Sequence, residues 1–201
     1  MAKRLPTAAE ALDRLIAGNA RFVRGEAKFE TIQTDHLADL AKGQRPFATV
    51  LGCSDSRVAP ELIFDAGLGE LFIIRVAGNV VSPEIMGSLQ YAAVKLKTPL
   101  FVVLGHEHCG AVEAALAAKL RGARYRSRIE RLLAGIVPGL KGIDPGLPHD
   151  EQLQRGVEAN VRWSLEQIRA TPEAQAKAAT GEFMLVGAVY EIESGVVRFL
   201  P

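Results

Sequence analysis

Apolar residues follow two rhythms along this chain. Mostly apolar runs at 47–51, 71–76 and 100–104 read as strands, and the last is apolar throughout, as expected where both faces of a sheet are covered. Elsewhere the spacing is helical. Thr7-Ala8-Ala9-Glu10 is a capping box, and Leu12, Leu15, Ile16 and Phe22 follow it at helical intervals; Gly18 and Gly25 weaken this helix and Gly25 ends it. Residues 26–45 read as a linker with a short helix over 35–42, closed by Gly43, and a helical turn is expected at 60–66. Ser82-Pro83 is an N-cap with proline in the first turn. It opens a helix over 83–97 whose stripe is Ile85, Leu89, Ala92 and Leu96, with Tyr91 turned away from it. Helices over 109–121 and 126–136 precede a loop at 138–148 that holds three prolines and three glycines. A long helix over 151–169 carries Leu153, Val157, Val161, Leu165 and Ile168 on one side, and Thr171-Pro172 caps a further short one. Strands at 183–190 and 195–199, joined by a turn at 193–195, close the chain.

Strands alternating with helices predict an α/β fold with a mostly parallel central sheet flanked by helices. In such sheets ligands collect beyond the carboxyl ends of the strands. A chain of 201 residues is long enough for one domain with a substantial core, read here as 1–201. The hydrophobic share of 48% and charged share of 23% are those of an ordinary globular protein. A formal charge of +1 predicts no nucleic-acid or membrane partner. The longest apolar runs fall far short of the roughly 20 residues that span a bilayer. No apolar segment follows the basic start Met1-Ala2-Lys3-Arg4, so no signal peptide is expected and the location is taken as cytoplasmic.

The chemistry concentrates in two short segments, Cys53-Ser54-Asp55-Ser56-Arg57 and His106-Glu107-His108-Cys109, which contain both cysteines of the chain. Each follows an apolar run. His106 and Cys109, three apart at a helix start, can point to one side. One Cys followed later by His-x-x-Cys supplies three soft or borderline ligands that suit Zn²⁺. The fourth tetrahedral position is left for water or for a carboxylate, and Asp55 is two residues from Cys53. A disulfide is the competing reading, and beside His106 and Asp55 in a reducing compartment metal ligation is preferred. His108 could shuttle protons or be an incidental polar residue; His36 and His149 read as surface residues.

These paired motifs, Cys53-x-Asp55-x-Arg57 and His106-x-x-Cys109-Gly110, resemble the zinc signature of the β-class carbonic anhydrases. The resemblance extends to Ala11-Leu12-x-Arg14-Leu15-x-x-Gly18-Asn19-x-Arg21-Phe22, to Arg75-Val76-Ala77-Gly78-Asn79 and to Leu185-Val186-Gly187-Ala188-Val189-Tyr190. It implies one zinc per chain on Cys53, His106 and Cys109, and reversible conversion of CO₂ and water to bicarbonate and a proton by zinc-bound hydroxide. Asp55 and Arg57 would gate the fourth position: with the pair formed water occupies it, and with the pair broken Asp55 does. Gln44, Phe72 and Tyr91 would reach the zinc of an adjoining subunit, Phe72 as an apolar wall and the Gln44 amide as a bicarbonate donor. Val58 and Ala77 would floor the same pocket, and Gly110 would border it. The resemblance also implies an arm and linker over 1–45 that packs on a neighbouring subunit, a zinc core over 46–201, and a homodimer or dimer-based tetramer. Some relatives hold an inhibitory bicarbonate beside a tryptophan three residues before the first cysteine. Val50 stands there, so that regulation is not expected although Arg75 is retained. Hydrolysis of COS or CS₂ on the same scaffold, and non-catalytic zinc or bicarbonate binding, are the rival functions.

Overall fold

The computed structural model describes residues 4–28, 34–181 and 183–201. The surface position expected for His36 lies outside the described side chains. In chain order the elements are α1 (Ala8–Val23), α2 (Thr34–Leu40), β1 (Ala48–Gly52), α3 (Pro60–Ile63), β2 (Leu71–Arg75), a tight turn at Ala77–Asn79, α4 (Pro83–Tyr91), β3 (Leu100–His106), α5 (Gly110–Arg121), α6 (Ser127–Ile136), α7 (His149–Arg169), α8 (Pro172–Thr180), β4 (Met184–Tyr190) and β5 (Val197–Phe199).

The five strands form one sheet in the order β2-β1-β3-β4-β5. The first four are parallel and β5 runs antiparallel to β4. The order reverses direction between β1 and β3. Chains leaving two neighbouring strands on opposite sides open a crevice there, where α/β sheets bind ligands. Alternate side chains of the central strands feed two apolar layers. Val50, Val102 and Leu104 face α1 and α3, with Ala11, Leu15 and Phe64. Leu51 and Val103 face the helices that follow, with Val112, Ile136, Val157 and Val161. Each fully buried side chain of this kind contributes about 1.5–3 kcal/mol.

The capping box predicted at Thr7 forms, with the Thr7 hydroxyl accepting from Glu10 N–H and the Glu10 carboxylate accepting from Thr7 N–H. The apolar stripe of α1 is used within its own chain: Ala11 and Leu15 are fully buried. Asn19 pins this helix by donating to the carbonyls of Ile63 and Gly195 at 3.2 and 2.8 Å and accepting from Val197 N–H at 2.9 Å. On its other side Ile16 and Val23 are exposed.

Several boundaries differ from the sequence reading. His106 is the last residue of β3 rather than the first beyond it, since it still pairs in register with Tyr190. Helix α5 starts at Gly110, with Cys109 as its N-cap in extended conformation. The expected i, i+3 placement of His106 and Cys109 at a helix start is therefore replaced by a strand end, a turn and a cap. The helix expected over 83–97 closes with a single π-helical turn at Ala92–Leu96, ended by Lys97 in the left-handed region. Part of the 138–148 loop is a 3₁₀ turn, Val137–Leu140, and α7 begins at His149, two residues early. Strand β5 starts at Val197 instead of 195 because Glu191 and Val196 close the intervening turn.

Replacing Asn19 with alanine leaves one N–H and two carbonyls buried without their partner. At about 1–3 kcal/mol for each unsatisfied group, partly relieved by relaxation, urea unfolding of Asn19→Ala is expected to show a loss of about 2–4 kcal/mol. A loss under ~0.5 kcal/mol would mean that this clasp does not hold α1.

Candidate metal centre

Gly52 at the end of β1 pairs with Leu104 of β3, so Cys53 leaves one strand beside the point where His106 ends the other. After His106 the chain turns through His108, whose φ of 53° is left-handed, and delivers Cys109 as the cap of α5. One ligand atom from each of Cys53, His106 and Cys109 lies within 4.8 Å of the others, and all three residues are buried. Both cysteines are free thiols, which removes the disulfide reading.

The imidazole of His106 is oriented by its own turn. Nδ1 lies 2.8 Å from the carbonyl oxygen of Glu107, which makes Nδ1–H the donor and leaves Nε2 with its lone pair. That Nε2 is buried with no hydrogen-bond partner. An orphaned ring nitrogen next to two sulfurs, with the other nitrogen bonded to a backbone carbonyl, is the arrangement of a metal-bound histidine. The donor set suits zinc, whose bonds of ~2.3 Å to sulfur and ~2.0 Å to nitrogen can converge from atoms this close. The site therefore could hold a metal ion, and its residues fit zinc.

The two sulfurs are electrostatically coupled. The Cys109 thiol hydrogen-bonds to Cys53 and so lowers the pKa of Cys53; the same contact, with burial, pushes Cys109 up. Gly78 N–H also donates to Cys53 Sγ at 3.3 Å. This amide comes from the Ala77–Asn79 turn, where Gly78 and Asn79 are both left-handed at φ 70° and 43°. A Cβ at Gly78 would also come within 2.7 Å of the Ile136 Cδ1 methyl and 3.0 Å of Ala111 Cβ, so the space there is tight.

Asp55 and Arg57 form the pair that the sequence suggests. Arg57 Nε and Nη2 donate to Oδ1 and Oδ2 at 2.9 and 2.8 Å, and Arg57 N–H adds a third bond to Oδ1 at 2.9 Å. This bidentate contact holds the Asp55 carboxyl well below the usual carboxylate range, so it is ionised at neutral pH. Oδ2 of Asp55 is 4.0 Å from His106 Nε2, at the edge of the cluster. Arg57 also donates weakly to the His108 carbonyl at 3.4 Å. Arg75 braces the loop from behind, with Nε and Nη2 donating to the carbonyls of Cys53 and Asp55 at 2.9 and 2.7 Å.

The substrate-binding candidates divide by position. Ala77 belongs to the turn that carries Gly78 and is half-buried, and Gly110 is exposed at the start of α5 beside Cys109. Val58 is fully buried in the layer facing α1. Phe72 pairs with Thr49, three residues before the Gly52–Arg75 end of the strands. Its ring meets that of half-exposed Tyr91 at 6.1 Å between centroids. Gln44 is exposed just before β1. Phe72 and Tyr91 thus lie on the β2 side of the sheet, and Gln44 precedes the end of β1 opposite to the one that delivers Cys53. His108 lines a separate cavity with Glu107, Glu158, Glu191 and Arg198. His149 is exposed and pairs with Glu113 at 3.1 Å.

Comparison with known proteins decides the family. The carbonic anhydrase family matches residues 48–197. Carbonic anhydrase 2 of Mycobacterium tuberculosis is 42% identical over 183 residues, covering 89% of this chain and 86% of that protein. The chain belongs to the β-class carbonic anhydrases. A solved β-carbonic anhydrase of Coccomyxa, in complex with acetazolamide, superposes with a TM-score of 0.74 at 27% identity, over 96% of this chain and 82% of that one. At 24% identity, tetrameric β-carbonic anhydrases of Sordaria macrospora share the fold, with a TM-score of 0.76 over 95% of this chain and 97% of theirs. As a member of this enzyme family the protein is a carbonic anhydrase, and among its described residues no helix is long and apolar enough to cross a membrane.

Sequence reasoning missed the Gly78 amide and the bracing role of Arg75 at Cys53. A backbone donor has no sequence signature beyond the glycine itself, whereas Arg75 was visible as the polar residue ending an apolar strand.

Equilibrium dialysis against Zn²⁺ is expected to load one ion per chain. Cys109→Ser should weaken retention at least about tenfold against a chelator. Undiminished retention in that variant would exclude Cys109 as a ligand.

Proposed function

We propose that the protein catalyses the reversible hydration of CO₂ to bicarbonate and a proton, with one Zn²⁺ per chain held by Cys53, His106 and Cys109. The observation that carries this reading is the buried, unpartnered Nε2 of His106 between two free cysteines and beside the Asp55–Arg57 pair. Zinc, when bound, supplies the Lewis acidity that makes a coordinated water a nucleophile near neutral pH, the familiar case being a carbonic anhydrase of the three-histidine class.

The chain's own residues do the rest. Asp55, ionised and locked by Arg57, accepts a hydrogen bond from the reacting water and orients it toward CO₂. Arg57 keeps both Asp55 oxygens engaged, so the carboxylate does not compete for the fourth position. With that pair broken, Asp55 would be free to ligate a bound zinc, which would close the site. Because Arg57 keeps Asp55 ionised, this gate is governed by the ion pair rather than by protonation of Asp55 itself at neutral pH.

A second copy completes the pocket in this proposal. Phe72 and Tyr91 stack beside the free edge of β2, and exposed Gln44 is not held near its own cluster. From an adjoining subunit, Phe72 would wall the site for CO₂ and the Gln44 amide would hydrogen-bond bicarbonate. Ala77 and Gly110 of the metal-bearing chain border the opening, with Val58 beneath. A homodimer or a tetramer built from dimers provides such contacts, with α1 presenting its exposed Ile16 and Val23 to the neighbour. Free cysteines serving as ligands suit a reducing cytoplasm.

Stopped-flow CO₂ hydration by the zinc-loaded protein at pH 7 and 8.5 tests the reaction. Rapid turnover at the higher pH is expected, with a fall of about 10–100-fold in Arg57→Ala. Absence of turnover in protein carrying one zinc per chain would contradict the assignment.

A further inference from the structure

Helix α7 carries two fully buried polar side chains in the middle of a mostly apolar face. Asn160 and Ser164 sit one turn apart among Val157, Val161, Leu165 and Ile168, with 1% and 0% of their surfaces exposed. Each reaches across to the turn beneath the metal cluster. Asn160 Nδ2 donates to the Gly78 carbonyl at 2.8 Å, and Ser164 Oγ donates to the Asn79 carbonyl at 3.1 Å. Asn79 N–H also donates to the Val76 carbonyl at 3.0 Å.

We infer that Asn160 and Ser164 are positioning residues of the metal centre: by holding consecutive carbonyls of Gly78 and Asn79 they keep the Gly78 N–H on the Cys53 sulfur. The inference rests on Cys53 being a zinc ligand. Two features argue against packing alone. The turn holds two successive left-handed residues, Gly78 and Asn79, and both of their carbonyls are taken by side chains of α7. Asn160 Oδ1 and Asn79 Nδ2 are buried with no partner. Asn160 therefore leaves one buried polar atom unsatisfied while its amide N–H holds the Gly78 carbonyl, so its place on this face is set by that bond rather than by apolar packing.

The chemical consequence lies in the donor set. Two thiolates deliver more negative charge to a metal than imidazoles would, which opposes acidification of coordinated water. An amide hydrogen bond to a ligating sulfur draws charge back from it and leaves the metal a stronger Lewis acid. The clamp from α7 fixes that bond through the backbone. Asn160 and Ser164 touch neither metal nor substrate.

Cobalt-substituted protein reads this directly, because the thiolate-to-cobalt charge-transfer band follows electron density on sulfur. Asn160→Leu and Ser164→Ala are expected to shift the band to longer wavelength and to speed metal loss to a chelator about tenfold. Ser164→Thr, which keeps the hydroxyl, should restore the wild-type band. An unmoved band in folded Ser164→Ala, with only a lowered Tm, would overturn the inference even if Asn160→Leu fails to fold. Failure of the wild-type protein to bind cobalt would instead overturn the metal reading beneath it.

Discussion

Gly52 of β1 and Leu104 of β3 lie in register, and that parallel pairing decides where the two ligand-bearing segments emerge. The chain leaves β1 toward β2 and leaves β3 toward α5, in opposite senses across the sheet. The crevice between them gathers Cys53, His106 and Cys109 from positions more than fifty residues apart. A slip of one residue between these strands would turn the side chains of one strand to the opposite layer and separate the cluster. The apolar layers on both faces of the sheet therefore hold the site together as well as the fold.

Around this point the polar groups are arranged in rings of decreasing burial. Innermost are the two sulfurs and the unpartnered imidazole nitrogen. Leaving such a nitrogen unsatisfied costs about 1–3 kcal/mol, a cost that binding of a metal removes. Next come the bonds that hold the ligands: the Gly78 amide on Cys53, the Glu107 carbonyl on His106, and Arg75 behind Cys53 and Asp55. Outermost is the Asp55–Arg57 pair, with the Arg57 side chain about half exposed. An exposed ion pair is ordinarily a weak interaction. Here three hydrogen bonds converge on one carboxylate, which makes the pair strong enough to hold and still accessible enough to open.

Much of this was legible in the sequence, for identifiable reasons. The strands could be read because runs such as 100–104 are buried on both sides and admit no polar residue. The ligands could be read because Cys and His-x-x-Cys after such runs have few other uses. Boundaries failed where polar residues continue an element. A histidine ending an apolar run reads as loop, yet His106 still belongs to β3; His149 and Asp150 are polar and read as loop, yet they are already helical. The clamp from Asn160 and Ser164 was present as two polar positions interrupting an apolar stripe. What they hold is a backbone conformation, and φ values of 70° and 43° at Gly78 and Asn79 are not written in side-chain pattern. The apolar stripe of α1 is shared out: Leu15, with Ala11, is buried against α3 and β3 of the same chain, whereas Ile16 stays exposed.

The central claim is that Cys53, His106 and Cys109 form a metal centre with one position open to a light atom. X-ray absorption at the zinc edge of the loaded protein at pH 8.5 measures this most directly. The account predicts two sulfurs at ~2.3 Å and two nitrogen or oxygen atoms at ~2.0 Å, one of them His106. A shell of four sulfurs, or one without sulfur, would contradict it.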